Sequence, residues 1–309
     1  MRATGGSAFI ELSRHVFEPL RKDEDFVLSR GRNEEDLSQV LVLAPAMQDP
    51  GPESLKRLEH EYSLREELDP AWAARPIAIA FHWDRPVLVL EDPGGTPLDQ
   101  LLAQPLDLGS CLRLAISLAT AIGQVHQRGM IHKDIKPANV LVNSATGKVW
   151  LMGFGIASRL TRERQSPEPP EFIAGTLAYM APEQTGRMNR SIDSRSDLYS
   201  YGVTLYEMLT GLLPFSASDA MEWVHCHVAR QPIPPDERTK GIPGTVSAIV
   251  MRLLAKTAEE RYQTAAGVEA DLRRCLAEWE KLGRIDSFSL GTRDVPPRPR
   301  AGGGLRAHP

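Results

Sequence analysis

The chain has 309 residues, 42% of them hydrophobic, with a formal net charge of −4 and three scattered cysteines. That apolar content suits a buried core in one large or two ordinary domains, and the mild charge points away from nucleic acid and anionic membranes as partners. Cys111, Cys226 and Cys275 fit reduced thiols in a cytoplasmic protein rather than a disulfide framework, and the first residues show no secretory-signal pattern.

Residues 1–15, with Gly5-Gly6 and few apolar groups, read as a flexible lead-in. Three short β-prone runs follow, Val16-Phe17, Phe26-Val27-Leu28 and Val40-Leu41-Val42-Leu43, separated by charged turns that suit an antiparallel sheet. Leu55, Leu58 and Tyr62 then recur at helical spacing from Glu53 to Leu68, and Asp69-Pro70 ends that helix. Ile77 to Phe81 and Val87 to Leu90 complete five strands, and Glu91-Asp92-Pro93-Gly94-Gly95 reads as a hinge. Residues 16–92 are thus expected to form a small β-rich lobe and residues 93–282 a larger helical one, an α+β arrangement of two lobes.

In the larger lobe, Leu108, Leu112, Ala115, Ala119, Ile122 and His126 mark a buried helix closed by Gly129. That helix is the most apolar long segment, but Arg113, Gln124 and its periodicity argue against a membrane span. Leu198, Tyr201, Leu205 and Met208 mark another helix, stopped by Gly211 and Pro214. Ala220–Arg230, Val246–Lys256 and Thr264–Lys281 give three more. From 283 to 309 the Pro- and Gly-rich composition predicts a disordered tail.

The chemistry concentrates in His132-Lys133-Asp134-Ile135-Lys136-Pro137-Ala138-Asn139, which runs into the strand-like Val140-Leu141-Val142. A carboxylate, an ammonium and an amide on one short anchored loop suit phosphoryl transfer: the first can orient and deprotonate a hydroxyl, the second neutralise a phosphate, the third ligate magnesium. This loop resembles the catalytic loop of eukaryotic-type Ser/Thr protein kinases, with Lys133 in place of the usual arginine. Gly175-Thr176, Ala181-Pro182-Glu183 and Ser196-Asp197-Leu198-Tyr199-Ser200-Tyr201-Gly202 follow in the family's order. The run from Gly175 to Arg190 is similar to a bacterial group in which such a domain precedes an ATPase-type module and a sensor histidine kinase.

The resemblance implies a two-lobed protein-kinase fold that uses ATP and Mg²⁺. It implies Asp134 as catalytic base, Lys136 on the transferring phosphate, Thr176 bonded to Asp134, and Asn139 on the metal. Glu61 would pair with an active-site lysine, Glu91 and Pro93 would lie at the adenine hinge, and Glu183 and Arg261 would pair beneath the substrate-binding segment. Asp197 would accept backbone N–H bonds from the catalytic loop. Partners would be a protein substrate or docking protein, with the ATPase and histidine kinase modules as further candidates.

Four departures fall on the handling of Mg·ATP. Gly153, in Leu151-Met152-Gly153-Phe154-Gly155, stands where the family has a metal-binding aspartate, and magnesium needs oxygen ligands. No lysine occurs between Lys22 and Lys56, so Leu43 ends the strand that should carry one. The turn Arg21-Lys22-Asp23-Glu24-Asp25 replaces a glycine-rich flap, and its carboxylates repel phosphate. Pro93 offers no N–H to adenine. Two readings follow: a kinase-like docking module with weak or absent phosphotransfer, or an active Ser/Thr kinase with a rearranged metal site. Ser166, in the 155–183 segment, reads as a solvated loop serine; a phosphate there could pair with Lys133, Arg159 or Arg162, and control by it should be weak because lysine lacks the bidentate fork of arginine.

Overall fold

The computed structural model describes residues 12–82, 84–103, 106–159, 177–188 and 190–295. Short β-prone apolar runs set up its first sheet. Strands β1 (His15–Lys22), β2 (Phe26–Asn33) and β3 (Gln39–Pro45) run antiparallel, followed by helix α1 (Pro52–Ser63) and strands β4 (Pro76–His82) and β5 (Arg85–Glu91). The spatial order is β1-β2-β3-β5-β4. Because side chains alternate between faces, Leu41 and Leu43 of β3 point inward with Leu28, while Val40 and Val42 join an outer apolar layer with Phe17 and Leu12. Leu12 lies in a 3₁₀ turn at 12–14, so folded structure begins slightly before the expected residue 16. The helix α1 is shorter than its apolar pattern suggested: it stops at Ser63, and residues to Trp72 continue as turns.

The larger lobe opens with β6 (Thr96–Pro97) and the short α2 (Leu98–Leu101), then the buried α3 (Leu108–Gln127). Asp107 caps α3 by accepting the Ser110 N–H. Among the described residues α3 is the helix long and apolar enough to cross a membrane, and most of it is buried inside this lobe. Strands β7 (Met130–Ile131), β8 (Val140–Asn143), β9 (Lys148–Leu151) and β10 (Ser158–Arg159) follow; β6, β8 and β9 form one small sheet, β7 and β10 another. Then come α4 (Ser194–Thr210), α5 (Ala220–Val228), the short α6 (Pro235–Arg238), α7 (Gly244–Leu253) and α8 (Ala265–Leu282). Gly211 ends α4 in the left-handed region at φ 71°, the αL closure that favours glycine.

The segment expected to be a loose tail from residue 283 instead packs on this lobe through residue 295. Ile285, Phe288 and Leu290 lie against the main core. Asp294 accepts hydrogen bonds from the backbone N–H groups of Gln263 and Thr264, at the head of α8. Thr245 Oγ1, Arg252 and Asp271 bond the segment's backbone at Asp286, Leu290 and Gly291 as well; the Pro- and Gly-rich composition that predicted disorder is concentrated beyond residue 295.

Candidate active site

The two lobes face each other across a cavity of about 730 Å³ whose walls include Arg21, Leu43, Arg57, Glu61, Asp134, Lys136, Asn139 and Gly153. The loop carrying Asp134 is hung from buried polar anchors. Asp197, fully buried in the first turn of α4, accepts the His132 N–H at 2.9 Å and the Lys133 N–H at 2.8 Å, and its Oδ2 lies 2.9 Å from His126 Nε2. Burial pushes the Asp197 carboxyl upward, but the His126 bond and the neighbouring imidazoles more than offset it, so it stays ionised at neutral pH. His132 is also buried: its Nδ1 accepts the Asp134 N–H and its Nε2 donates to the Met152 carbonyl, a support role in which burial keeps it neutral.

Asp134 Oδ2 lies 2.9 Å from Lys136 Nζ and accepts Asn139 Nδ2 at 2.8 Å. Burial raises the Asp134 carboxyl, yet the Lys136 ammonium, with help from His132 and the Asn139 bond, outweighs it and holds the group below the usual range. The three residues singled out for chemistry on this loop are therefore brought together. Further along the chain, Glu183 and Arg261 form a buried bidentate pair at 2.7 and 2.9 Å, with Ser196 Oγ donating to the same Glu183 oxygen. Thr176 and Ser166 lie outside the described residues.

On the upper wall the arrangement differs from expectation. Arg21 enters the cleft and donates to Asn139 Oδ1 at 2.9 Å and to the Ala138 carbonyl at 2.7 Å. Its direction has a local cause. Cross-strand partners run from His15↔Asn33 to Pro19↔Ser29 and then skip to Arg21↔Leu28, so Leu20 is an extra residue in β1. Such a bulge reverses the alternation, placing Arg21 on the inward face with Leu28 instead of outward with Pro19. Gln100 of α2 also donates to the Leu20 carbonyl, tying the bulge to the larger lobe. The turn beyond is closed by Asp23, whose Oδ1 accepts the N–H groups of Asp25 and Phe26, while Asp25 pairs with Arg57 at 2.7 Å.

Glu61 reaches the cavity from α1 and is buried; the β3 residue on the same cavity wall is Leu43, and the Glu61 Oε1 accepts the Gly153 N–H at 3.2 Å. Burial pushes its carboxyl up to about 7, against the pull of the Phe154 and Gly153 amides and of Arg21 and Arg57. Gly153 sits at φ 80°, and a Cβ there would meet the Asn139 carboxamide at 2.7–2.9 Å. The residues present do not fit a magnesium ion: Asn139 Oδ1 is engaged by a guanidinium, and position 153 has neither a carboxylate nor space for one with Asn139 where it is.

Glu91 and Pro93 do not line this cavity. The Glu91 N–H donates to the Arg75 carbonyl and its carboxylate pairs with Arg75, while the Gly94 N–H donates to Asp92 Oδ1. Inward of this hinge, Leu28, Leu41, Leu90, Leu141 and Met152 are each at most 3% exposed and belong to one apolar cluster that spans both lobes.

Comparison with known proteins assigns this architecture. The protein kinase domain family matches residues 52–271. The chain belongs to the protein kinase family. Among relatives of this kinase domain, the serine/threonine-protein kinase PknB of Mycobacterium tuberculosis is 38% identical over 191 residues, covering 61% of this chain and 30% of that protein. PknB of Mycolicibacterium smegmatis is 36% identical over 233 residues, 69% of this chain and 37% of the other, and Pkn1 of Myxococcus xanthus is 34% identical over 197 residues, 63% and 28%. The matches thus span about a third of the length of these relatives. The matched family region starts at Pro52 and leaves out β1–β3, the strands that carry Arg21, the acidic turn and Leu43.

Proposed function

We propose that this kinase domain acts mainly as a docking module in bacterial signalling, with ATP phosphotransfer weak or lost. The observation that carries the reading is the environment of Glu61: a buried carboxylate that shares the cavity wall with Leu43 of β3 and accepts the Phe154 and Gly153 backbone amides. The ammonium that should hold the first phosphates and the carboxylate that should hold magnesium are both missing from the one place where they would meet. Preorganised charge is the main catalytic contribution in phosphoryl transfer, so losing several such contacts lowers the rate by on the order of 10⁴-fold or more, allowing for non-additivity. The engaged hinge amides and the closed leucine cluster beside them support the same reading for adenine.

The lower lobe keeps what protein docking requires. Glu183, Arg261 and Asp197 hold the loops beneath the cleft, and a protein partner, either a substrate-like chain or an adjoining ATPase or histidine kinase module, is the occupant we assign to that surface. A second reading, an active Ser/Thr kinase with a rearranged metal site, is favoured by the intact Asp134–Lys136–Asn139 cluster.

Single-turnover assays with labelled ATP and Mg²⁺ or Mn²⁺ separate the two. The docking reading expects no phosphotransfer above that of Asp134→Asn. Robust transfer that Asp134→Asn abolishes would establish the active kinase instead.

A further inference from the structure

We infer that Arg21 takes the place of the divalent cation in this cleft, and that Arg21, Asn139 and Gly153 form one interlocked unit that keeps metal out. The inference rests on the reading that the cleft does not handle Mg·ATP, and adds the residue responsible for excluding the metal.

Arg21 carries a permanent positive charge to the amide oxygen implied as a metal ligand, at 2.9 Å, and its second bond to the Ala138 carbonyl fixes the approach. Its side chain is only 11% exposed, and its Nε is buried without a hydrogen-bond partner among the described residues. The guanidinium is therefore seated in the protein rather than resting on its surface. The bulge at Leu20 is what aims it.

Gly153 completes the lock. With Asn139 held by Arg21 on its oxygen and by Asp134 on its nitrogen, the carboxamide occupies the space that a side chain at position 153 would need. A carboxylate returned to position 153 alone would collide with Asn139. Removing Arg21 frees Asn139 to move, so the two substitutions should act together rather than additively.

The test uses the full chain as wild type, Arg21→Ala, Gly153→Asp and the double variant, with Mn²⁺ alone as the probe. Mn²⁺ affinity is read by paramagnetic resonance titration and unfolding temperature by calorimetry. The expected result is at least tenfold tighter Mn²⁺ binding by the double variant than by wild type or Gly153→Asp. Arg21→Lys combined with Gly153→Asp should keep Mn²⁺ out, because the cation remains. Gly153→Asp should also lower the unfolding temperature more in the wild-type background than in Arg21→Ala. Equal Mn²⁺ affinity across the set, or wild type binding as tightly as the double variant, overturns the inference.

Should the double variant not fold, Arg21→Ala alone decides by hydrogen exchange. Amides of β1 and of Ala138 and Asn139 are expected to exchange at least fivefold faster, and unchanged exchange overturns the role of Arg21. Metal-dependent phosphotransfer by the wild type would defeat the docking reading. Unaltered Mn²⁺ binding in the variants, with wild type inactive, would defeat only the assignment of Arg21.

Discussion

The Glu61 carboxylate accepts the Gly153 backbone N–H at 3.2 Å, so a glycine amide stands in for the lysine this glutamate would be expected to meet. The consequence is a titration near neutrality. In the unfolded chain the group has its ordinary value of 4.5; in the folded protein burial raises it to about 7. Between those values the folded state keeps a proton that the unfolded chain has released. Stability attributable to this group therefore falls as pH rises from about 4.5 to about 7, and the full cost, on the order of 3 kcal/mol, stands above that. Glu61→Gln should be more stable than wild type in urea at pH 8 and close to it at pH 5. An equal difference at both pH values would remove Glu61 as the source.

The Arg261–Glu183 pair behaves differently, because both charges are satisfied. Arg261 and Glu183 are buried, and Arg261 also donates to the carbonyls of Ala255, Arg195 and Lys256. Removing one partner leaves the other charge buried and unpaired, which costs about 3–5 kcal/mol. Arg261→Met should lose that much in chemical denaturation, and Arg261→Met with Glu183→Leu should recover a large part of it. A double variant no better than the single one would show that the carbonyl bonds, not the ion pair, dominate.

Asp294 ties the chain past α8 to the residues that lead into that helix, accepting from Gln263 N and from N and Oγ1 of its N-cap Thr264. Asp294→Ala should cost about 1–2 kcal/mol, in the range of a lost helix cap. Truncation after Gly283 should cost more, since it also uncovers the core contacts of Phe288 and Leu290. Thermal melts of the two variants, compared with truncation after residue 295, measure this; equal melting for all three would mean that the segment contributes nothing.

Much of this fold was legible because its signals are local. The β-prone apolar run Val40–Leu43, the helical stripe from Leu108 to His126 and the αL glycine at 211 each report on their own neighbourhood. The loop from His132 to Asn139 was legible for the same reason, its groups lying within eight residues. What escaped depends on register and on distant partners. Arg21 was visible only as one of two basic residues in an acidic turn; its entry into the cleft follows from a single extra residue at Leu20, which shifts a strand's parity without altering its composition. The engagement of the Glu91 amide by Arg75, and the gathering of Leu41 and Leu141 in one buried cluster, join residues far apart in the chain. Apolar patterning alone showed that these leucines are core, not that they close the space beside the hinge.

That closure yields the last prediction. Leu41 is fully buried in the apolar cluster that also holds Leu28, Leu90, Leu141 and Met152, so Leu41→Ala leaves a space in a leucine- and methionine-rich core. The substitution should cost about 2–5 kcal/mol, the range for a leucine removed from a packed core. The nearby Glu91 and Gly94 amides already donate within the protein, and Pro93 has none to offer, so the new space supplies apolar contact with little polar recognition. Indole should therefore raise the melting temperature of Leu41→Ala while adenosine does not, and neither should affect the wild type. Stabilisation of the wild type by adenosine would show that the slot beside the hinge opens without help, and that leucine packing is not what excludes the base.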